Sequence, residues 1–236
     1  MSNRLLPSDN QFADVGPALL SSTWGHTSKI VVVVIWGLGI AAGSLYSLDY
    51  ATTPTKTHSV VDHWLVESAC TLCAHQPTLV MFVHPRCPCS RASLNELAIL
   101  MTHCQGRVNV QVLFMKPPSL PADWAKTDLW DSAADIPGVM PRLDLDGAEQ
   151  RRFAARVSGE VFLYLPDGSL AFHGGITAGR GHYGDNQGRA AIEALLLDRD
   201  LQTGSTPVFG CELEPPGSSS NDLTPGDTRG ENDERH

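Results

Sequence analysis

The chain has 236 residues, of which 42% are hydrophobic, which is enough apolar content for the core of one globular domain of ordinary size. Its formal net charge at pH 7 is −9, from 17 basic and 26 acidic residues. No basic cluster interrupts this acidic balance, so the composition argues against nucleic acid as a partner.

The first predicted element is an uncharged run at residues 30–48, IVVVVIWGLGIAAGSLYSL. Its length is close to the ~20 residues that a helix needs to cross a bilayer, so we predict a transmembrane anchor. A buried β-strand would explain only its β-branched beginning, because the run continues through Gly, Ala and Ser without a turn signal. Arg4 and Lys29 precede the run and Asp49 follows it, which favours a cytoplasmic N-terminus. The rest of the chain would then face the periplasm or the exterior, where disulfides persist.

Polar segments flank the predicted domain. Residues 1–29 form a predicted cytoplasmic tail, too long for the start of a typical cleaved signal peptide, which favours an uncleaved single-pass anchor in the inner (cytoplasmic) membrane. Residues 49–59 are rich in threonine and predict a linker. Residues 214–236 have almost nothing to bury and predict a disordered acidic tail. The folded domain is therefore expected over residues 60–213.

Within this domain, the hydrophobic pattern predicts a β-α-β unit followed by a hairpin and a helix. The turn signal of the hairpin is Pro166, Asp167 and Gly168. In chain order, the expected elements are a buried strand at 79–84, a helix at 86–103, a strand at 108–115, a crossover rich in Pro and Trp at 116–136, a short strand near 139–143, a short helix at 148–155, the hairpin at 160–175 and a helix at 186–197. This order is that of the thioredoxin fold, an α/β architecture in which helices flank a central mixed sheet.

The segment HPRCPCSRASLNEL, residues 84–97, places Cys87 and Cys89 on either side of Pro88, between the first strand and the first helix of the domain. A cysteine at the first turn of a helix lies near exposed backbone N–H groups and the positive end of the helix dipole, which lower its pKa. Cys87 is therefore placed to act as a nucleophile. Pro88 suits the first helical position because it has no N–H to leave unpaired. The alternative, two small core residues, fits poorly with a proline between the cysteines at a strand-to-helix turn.

This segment resembles the membrane-anchored thioredoxin-like proteins of the TlpA class, whose usual string is roughly F-W-A-x-W-C-x-P-C-R-x-E-x-P-x-L. That string overlays on FVHPRCPCSRASLNEL without a gap, so that Cys87 takes the position of the nucleophile and Ser90 that of the resolving cysteine. The strings HPRCPCSRAS, VSGEVFLY, GGITAGRGHYGDNQG and TPVFGC also resemble the bacterial thioredoxin-like proteins labelled RedB. The resemblance covers residues 78–211.

The resemblance implies a thiol–disulfide oxidoreductase that acts on protein disulfides or dithiols, receives electrons from a membrane redox partner and needs no cofactor. Cys87 would attack the substrate disulfide. Because Ser90 stands at the usual place of the second cysteine, we expect Cys89 to resolve the mixed disulfide by closing a small, easily reduced ring. The family's cis-proline position reads VSG here, at residues 157–159, which departs from the pattern.

The loop after the last predicted strand, residues 177–186, is expected at the same end of the sheet as Cys87. On this loop, Arg180 and His182 are candidates to stabilise the thiolate, to shuttle a proton or to bind a metal. The alternative is a glycine-rich surface loop whose last residues cap the closing helix.

The other cysteines leave alternatives open. Cys211 follows the last helix, and it is a candidate either to resolve Cys87 or to pair with Cys104. Cys70 and Cys73 form a Cys-x-x-Cys ahead of the first strand, a spacing shared by redox and zinc sites. A second redox pair and half a zinc site are both open for them, and a local disulfide is favoured.

A copper-handling protein of the Sco type is the rival hypothesis, because that family shares the fold, the anchor and the topology. Two thiolates with a nearby histidine suit Cu(I), and the ligands here would be Cys87, Cys89 and His182. The usual Cys-x-x-x-Cys of that family is absent from the sequence. A non-catalytic binding domain that keeps the fold as a scaffold is a third possibility.

Overall fold

The computed structural model describes residues 25–55, 60–121, 123–199 and 204–213. The predicted acidic tail at 214–236 and most of the predicted cytoplasmic tail lie outside the described residues. The chain comprises two compact units, Met1–Leu45 and Tyr46–His236.

One long helix, α1 (His26–Thr52), contains the whole of the predicted transmembrane run. Its segment Thr27–Thr52 has a mean hydropathy of 2.0, and none of its most apolar stretch is buried in protein. By length and composition, this helix could span a membrane. The helix continues past residue 48 and ends at Thr52, so the first residues of the predicted linker are helical.

The domain that follows is built from five strands and four helices within the described residues. The strands are β1 (Thr78–Val83), β2 (Asn109–Lys116), β3 (Val139–Leu145), β4 (Glu160–Tyr164) and β5 (Leu170–Gly175). The helices are α2 (Pro88–His103), α3 (Asp128–Ala134), α4 (Ala148–Phe153) and α5 (Gln187–Leu196). The bounds lie close to those that the hydrophobic pattern predicts.

These strands form one mixed sheet in the order β3-β2-β1-β4-β5. The first three strands in chain order are parallel, whereas β4 is antiparallel to both β1 and β5. The side chains of β1 alternate between two cores, with Leu79 and Met81 on one face and Val80 and Phe82 on the other. Both faces of the sheet are therefore covered, as expected for a parallel strand at the centre of an α/β domain.

The predicted β-α-β unit, hairpin and closing helix are all present, but α3 lies unpredicted inside the crossover at 116–136. Leu129 and Ala133 of α3 are buried in the core, and the ring of Trp130 lies 5.1 Å from that of Phe114. With seven residues, the helix is too short for a clear hydrophobic period, and the prolines before it hide its beginning.

Candidate functional site

The site forms where β1 ends and α2 begins. Cys87 is the N-cap residue of α2, with an extended backbone (φ −91°, ψ 123°), and Pro88 is the first helical residue, as the sequence predicts. The backbone N–H of Ser90 donates to the Cys87 carbonyl oxygen over 3.1 Å. The Cys87 side chain therefore sits at the positive end of the helix dipole.

Three cysteines meet at this point. The Sγ atoms of Cys87 and Cys211 lie 2.8 Å apart, although the two residues are 124 positions apart in the chain. The Sγ atom of Cys89 lies within 4.8 Å of both. The pairing of Cys211 with Cys104, left open by the sequence, is wrong: Cys104 caps the opposite end of the 16-residue helix α2, about 24 Å from its N-terminus.

A docked C-terminal segment, residues 204–213, brings Cys211 to Cys87. Near its end, this segment runs antiparallel to residues 156–158: the N–H of Ser158 donates to the Cys211 carbonyl over 2.8 Å, and the N–H of Leu213 donates to the Arg156 carbonyl over 2.7 Å. Near its start, Thr206 donates its N–H to the carbonyl of His173 in β5 over 3.2 Å. The backbone thus anchors the C-terminal segment on both sides of Cys211.

Glycine permits the approach of this segment to β5. A Cβ atom on Gly174 would lie 2.4 Å from the hydroxyl oxygen and 2.5 Å from the carbonyl oxygen of Thr206. Gly174 also has a φ of +154°, which side chains disfavour. The docking of the C-terminal segment therefore requires glycine at position 174, near the end of β5.

Ser90, at the family's resolving position, is fully buried and bonded away from Cys87. Its Oγ lies 2.6 Å from the Oγ of Ser158 and donates to the carbonyl of His84 over 3.1 Å. The Ser158 hydroxyl in turn accepts the N–H of His84 over 2.8 Å. This pair of serines ties the first turn of α2 to residues 157–159, so Ser90 has a structural role.

The three thiols are electrostatically unequal. Burial by itself raises the pKa of Cys87, but the Cys211 thiol and the backbone N–H groups around it donate to the sulfur, and the pKa falls below that of an ordinary thiol. Burial and repulsion from the Cys87 thiolate raise the pKa of Cys89. Burial and the hydrogen bond to Cys87 raise the pKa of Cys211 to about 12. Of the three thiols, Cys87 is therefore the one that ionises at the lowest pH.

The two loop candidates have different places. The guanidinium Nη1 of Arg180 donates to the carbonyl of Gly210, next to Cys211, and its positive charge opposes the upward shift in the pKa of Cys89. His182 is exposed, and its Nδ1 lies 2.7 Å from the Arg180 carbonyl oxygen. The cluster of possible metal ligands among the described residues contains Cys211 as its third member, and His182 is not part of it.

The end of the same loop caps α5, as the alternative reading of the loop expects. The side chain of Asn186 accepts the N–H of Arg189 over 2.8 Å. No pattern in the sequence points to Glu96, a buried carboxylate of α2. It accepts the Asn186 amide over 2.9 Å and lies 3.3 Å from the Arg189 guanidinium. These contacts fix the loop that carries Arg180 to the helix that carries Cys89.

A second buried carboxylate, Glu160, accepts hydrogen bonds from the backbone of residues 156–157. Its Oε2 accepts the N–H groups of Arg156 and Val157 over 2.8 and 3.1 Å, and its Oε1 lies 2.6 Å from Nε2 of His173. The only sequence signal for this role is an acidic residue at the head of the apolar run EVFLY. Glu160 therefore holds the backbone on which the C-terminal segment docks.

Cys70 and Cys73 lie outside this cluster, and both are free thiols. The favoured local disulfide between them is therefore not formed in the structure. Cys70 packs in the core around Phe153, and burial raises its pKa to about 11. The N–H of Cys73 donates to the hydroxyl of Thr78 over 2.9 Å. A thiol with a pKa near 11 is almost fully protonated at neutral pH, so Cys70 is better suited to packing than to attack.

A cavity of about 730 Å³ lies beside the C-terminal segment. Arg156, Arg180 and Glu212 line it, together with Gln150 and Thr55. None of the three clustered cysteines is among its lining residues.

No protein-family model matches this chain, and no curated protein sequence matches it. Several solved structures are similar in fold. A secreted Mycobacterium tuberculosis disulfide oxidoreductase, homologous to E. coli DsbE, is 13% identical, with a TM-score of 0.39 over 54% of this chain and 84% of that chain. StoA from Bacillus subtilis is 14% identical, with a TM-score of 0.38 over 60% of this chain and 96% of that chain.

Two other similar structures have higher TM-scores. A hypothetical protein, SMc02350 from Sinorhizobium meliloti 1021, is 25% identical, with a TM-score of 0.48 over 58% of this chain and 78% of that chain. An uncharacterized conserved protein from Geobacillus kaustophilus is 18% identical, with a TM-score of 0.50 over 61% of this chain and 79% of that chain. By its strand order and by its helix placement, the chain has a thioredoxin-like fold.

Proposed function

We propose that this protein is a membrane-tethered, extracytoplasmic thiol–disulfide oxidoreductase with Cys87 as its nucleophile. The observation that carries the proposal is the position of Cys87 at the N-cap of α2, with the sulfur atoms of Cys89 and Cys211 within 4.8 Å. A thiolate stabilised at a helix N-terminus with a second thiol in reach is the arrangement that thiol–disulfide exchange requires.

The reaction begins when the Cys87 thiolate attacks a substrate disulfide. A bond forms between Cys87 and one substrate sulfur, and the other substrate sulfur leaves as a thiolate. A second thiol must then break the mixed disulfide, and the sequence assigns this step to Cys89, which stays a prediction. Repetition of the cycle needs a reductant for the oxidised cysteine pair, and we assign this role to a membrane redox partner.

The apolar run within α1 and the charges that flank this run support the location. A single-pass anchor in the inner (cytoplasmic) membrane, with Arg4 and Lys29 on the cytoplasmic side, would hold the domain in the periplasm or at the exterior. Protein disulfides persist in that compartment, so they are the proposed substrate class.

The test is disulfide exchange by the reduced full-length protein, in detergent, with a model peptide that contains one disulfide. We expect Cys87→Ser to abolish the reduction of the peptide. Cys104→Ala is the matched control, because it removes a buried thiol at the other end of α2 and should leave exchange intact. Exchange that persists in Cys87→Ser would show that Cys87 is not the nucleophile.

The three-cysteine cluster also supports a second candidate function, the binding of a soft metal ion. Three thiolates within 4.8 Å of one another suit Cu(I) in trigonal coordination. In this version of the copper hypothesis, Cys211 replaces His182 as the third ligand. Stoichiometric Cu(I) that is lost in Cys211→Ser and retained in His182→Ala would support it. Protein that stays metal-free under reducing conditions, with a reactive thiol, would favour the oxidoreductase.

A further inference from the structure

We infer that Cys211, rather than Cys89, is the thiol that resolves the mixed disulfide on Cys87. This inference rests on the proposed function and adds to it a catalytic residue that lies 124 positions after Cys87. The catalytic disulfide of the oxidised protein would then join the N-terminus of α2 to the C-terminal segment, instead of closing within the Cys-Pro-Cys motif.

Distance and ring size both favour a bond between Cys87 and Cys211. A disulfide bond is about 2.05 Å long, so the Cys87 and Cys211 sulfurs, 2.8 Å apart, need to move by less than 1 Å to bond. A Cys87–Cys89 disulfide would instead close a small ring that contains Pro88, whose φ angle is fixed. The bond to Cys211 carries no such constraint from its neighbours in sequence.

The backbone around Cys211 is held in place before the reaction. The N–H of Ser158 donates to the carbonyl of Cys211 itself, the carbonyl of Arg156 accepts the N–H of Leu213, and the Arg180 guanidinium donates to the carbonyl of Gly210. Glu160 in turn fixes the strand partner at residues 156–157. A thiol presented by a fixed backbone is delivered to its target at a high effective concentration.

The hydrogen bond between the two sulfurs also favours Cys211. In the reduced protein, the Cys211 thiol donates its hydrogen to the Cys87 sulfur over 2.8 Å, so the two sulfurs already face each other. Once Cys87 has bonded to a substrate sulfur, the Cys211 sulfur lies next to the bond that must be broken.

The second step begins when the first substrate thiolate takes up the proton of Cys211. The Cys211 sulfur attacks the Cys87 sulfur, their bond forms, the bond from Cys87 to the substrate breaks, and the second substrate sulfur leaves as a thiolate. The substrate disulfide has been reduced to a dithiol, and Cys87 and Cys211 have been oxidised to a disulfide. Cys89 stays a thiol throughout.

The experiment compares Cys211→Ser with Cys89→Ser in the full-length protein, with the same model disulfide peptide as probe. We expect Cys211→Ser to accumulate an adduct of one peptide on Cys87, at least about tenfold above the level in Cys89→Ser, because the mixed disulfide loses its resolving thiol. Mass spectrometry under non-reducing conditions measures the adduct. Cys73→Ser, outside the cluster, is the control and should behave like the unaltered protein.

A second measurement does not depend on the folding of Cys211→Ser. Oxidised Cys89→Ser, digested without reductant, should yield a crosslinked peptide pair that contains Cys87 and Cys211. The absence of this pair, or an adduct that accumulates in Cys89→Ser instead, would overturn the inference and leave the proposed function standing. If the unaltered reduced protein forms neither an adduct nor any disulfide that contains Cys87, the proposed function itself fails.

Discussion

A Cβ atom at position 210 would lie 2.0 Å from the carbonyl oxygen of Ser158. Only glycine fits at this contact between the C-terminal segment and residues 156–159. The next residue is Cys211, whose carbonyl accepts the N–H of Ser158. Gly210 therefore sets the depth at which the segment docks and, with it, the position of the Cys211 sulfur.

Gly210→Ala should displace the C-terminal segment, because the added methyl group meets a backbone atom that cannot give way. We expect the free energy of unfolding to fall by about 1–3 kcal/mol, and the Cys87–Cys211 disulfide to form more slowly. Gly204→Ala is the control, since its Cβ would lie 3.6 Å from the Ala171 carbonyl oxygen, an ordinary contact. Equal rates of disulfide formation in the two variants would contradict the role given to Gly210.

The pH dependence of alkylation tests the environment of Cys87. Alkylation follows the thiolate fraction, so a lowered pKa places the midpoint of the rate profile at a lower pH than that of free cysteine. Cys211→Ala removes a hydrogen-bond donor to the sulfur and should move the midpoint to higher pH. Cys87→Ser gives the background from the other thiols. A midpoint at or above that of free cysteine would contradict the proposed nucleophile.

Ser90→Ala should destabilise the domain, because it removes a hydroxyl bonded to Ser158 and His84 in a site without water access. The expected loss in unfolding free energy is about 1–3 kcal/mol, measured by urea denaturation. Ser132→Ala removes an exposed hydroxyl that bonds only its own helix, so it should change stability by less than about 0.5 kcal/mol. If Ser90→Ala left the free energy of unfolding unchanged, this serine would have no structural role.

Glu160→Gln tests the support of residues 156–157. The amide keeps the size of the carboxylate but loses its charge and one acceptor oxygen, so the N–H groups of Arg156 and Val157 are held less well. We expect a lower melting temperature and slower closure of the Cys87–Cys211 disulfide, while alkylation of Cys87 by a small reagent continues. Closure at the unaltered rate would show that Glu160 does not position Cys211.

A reporter fused after Leu213 tests the topology. With a cytoplasmic N-terminus and a span within α1, an alkaline phosphatase fusion should be active, because this enzyme folds only in an exported, oxidising compartment. A fluorescent protein that requires the cytoplasm should stay dark at the same position. The reverse result would place the domain on the cytoplasmic side and remove the basis for its disulfide chemistry.

Local patterns in the sequence predict most of the fold. The spacing of apolar residues predicts β1, α2, β2 and the hairpin, and the Cys-Pro-Cys motif predicts that Cys87 lies at a helix N-terminus. The contact of Cys87 with Cys211 could not be predicted in the same way, because it spans 124 positions and depends on backbone docking at glycines. The roles of Ser90 and Glu160 were hidden for the same reason: their partners come from other elements.

Cys87 is only 4% exposed, and residues 204–213 occupy the backbone edge at residues 156–158. We expect a folded protein substrate to reach this sulfur when the C-terminal segment detaches. The rate of reaction with large substrates should therefore reach a ceiling as their concentration rises, set by how often the segment opens and identical for chemically different proteins. Closure of the segment after the attack would bring Cys211 back to the mixed disulfide, so one motion would admit the substrate and end the reaction.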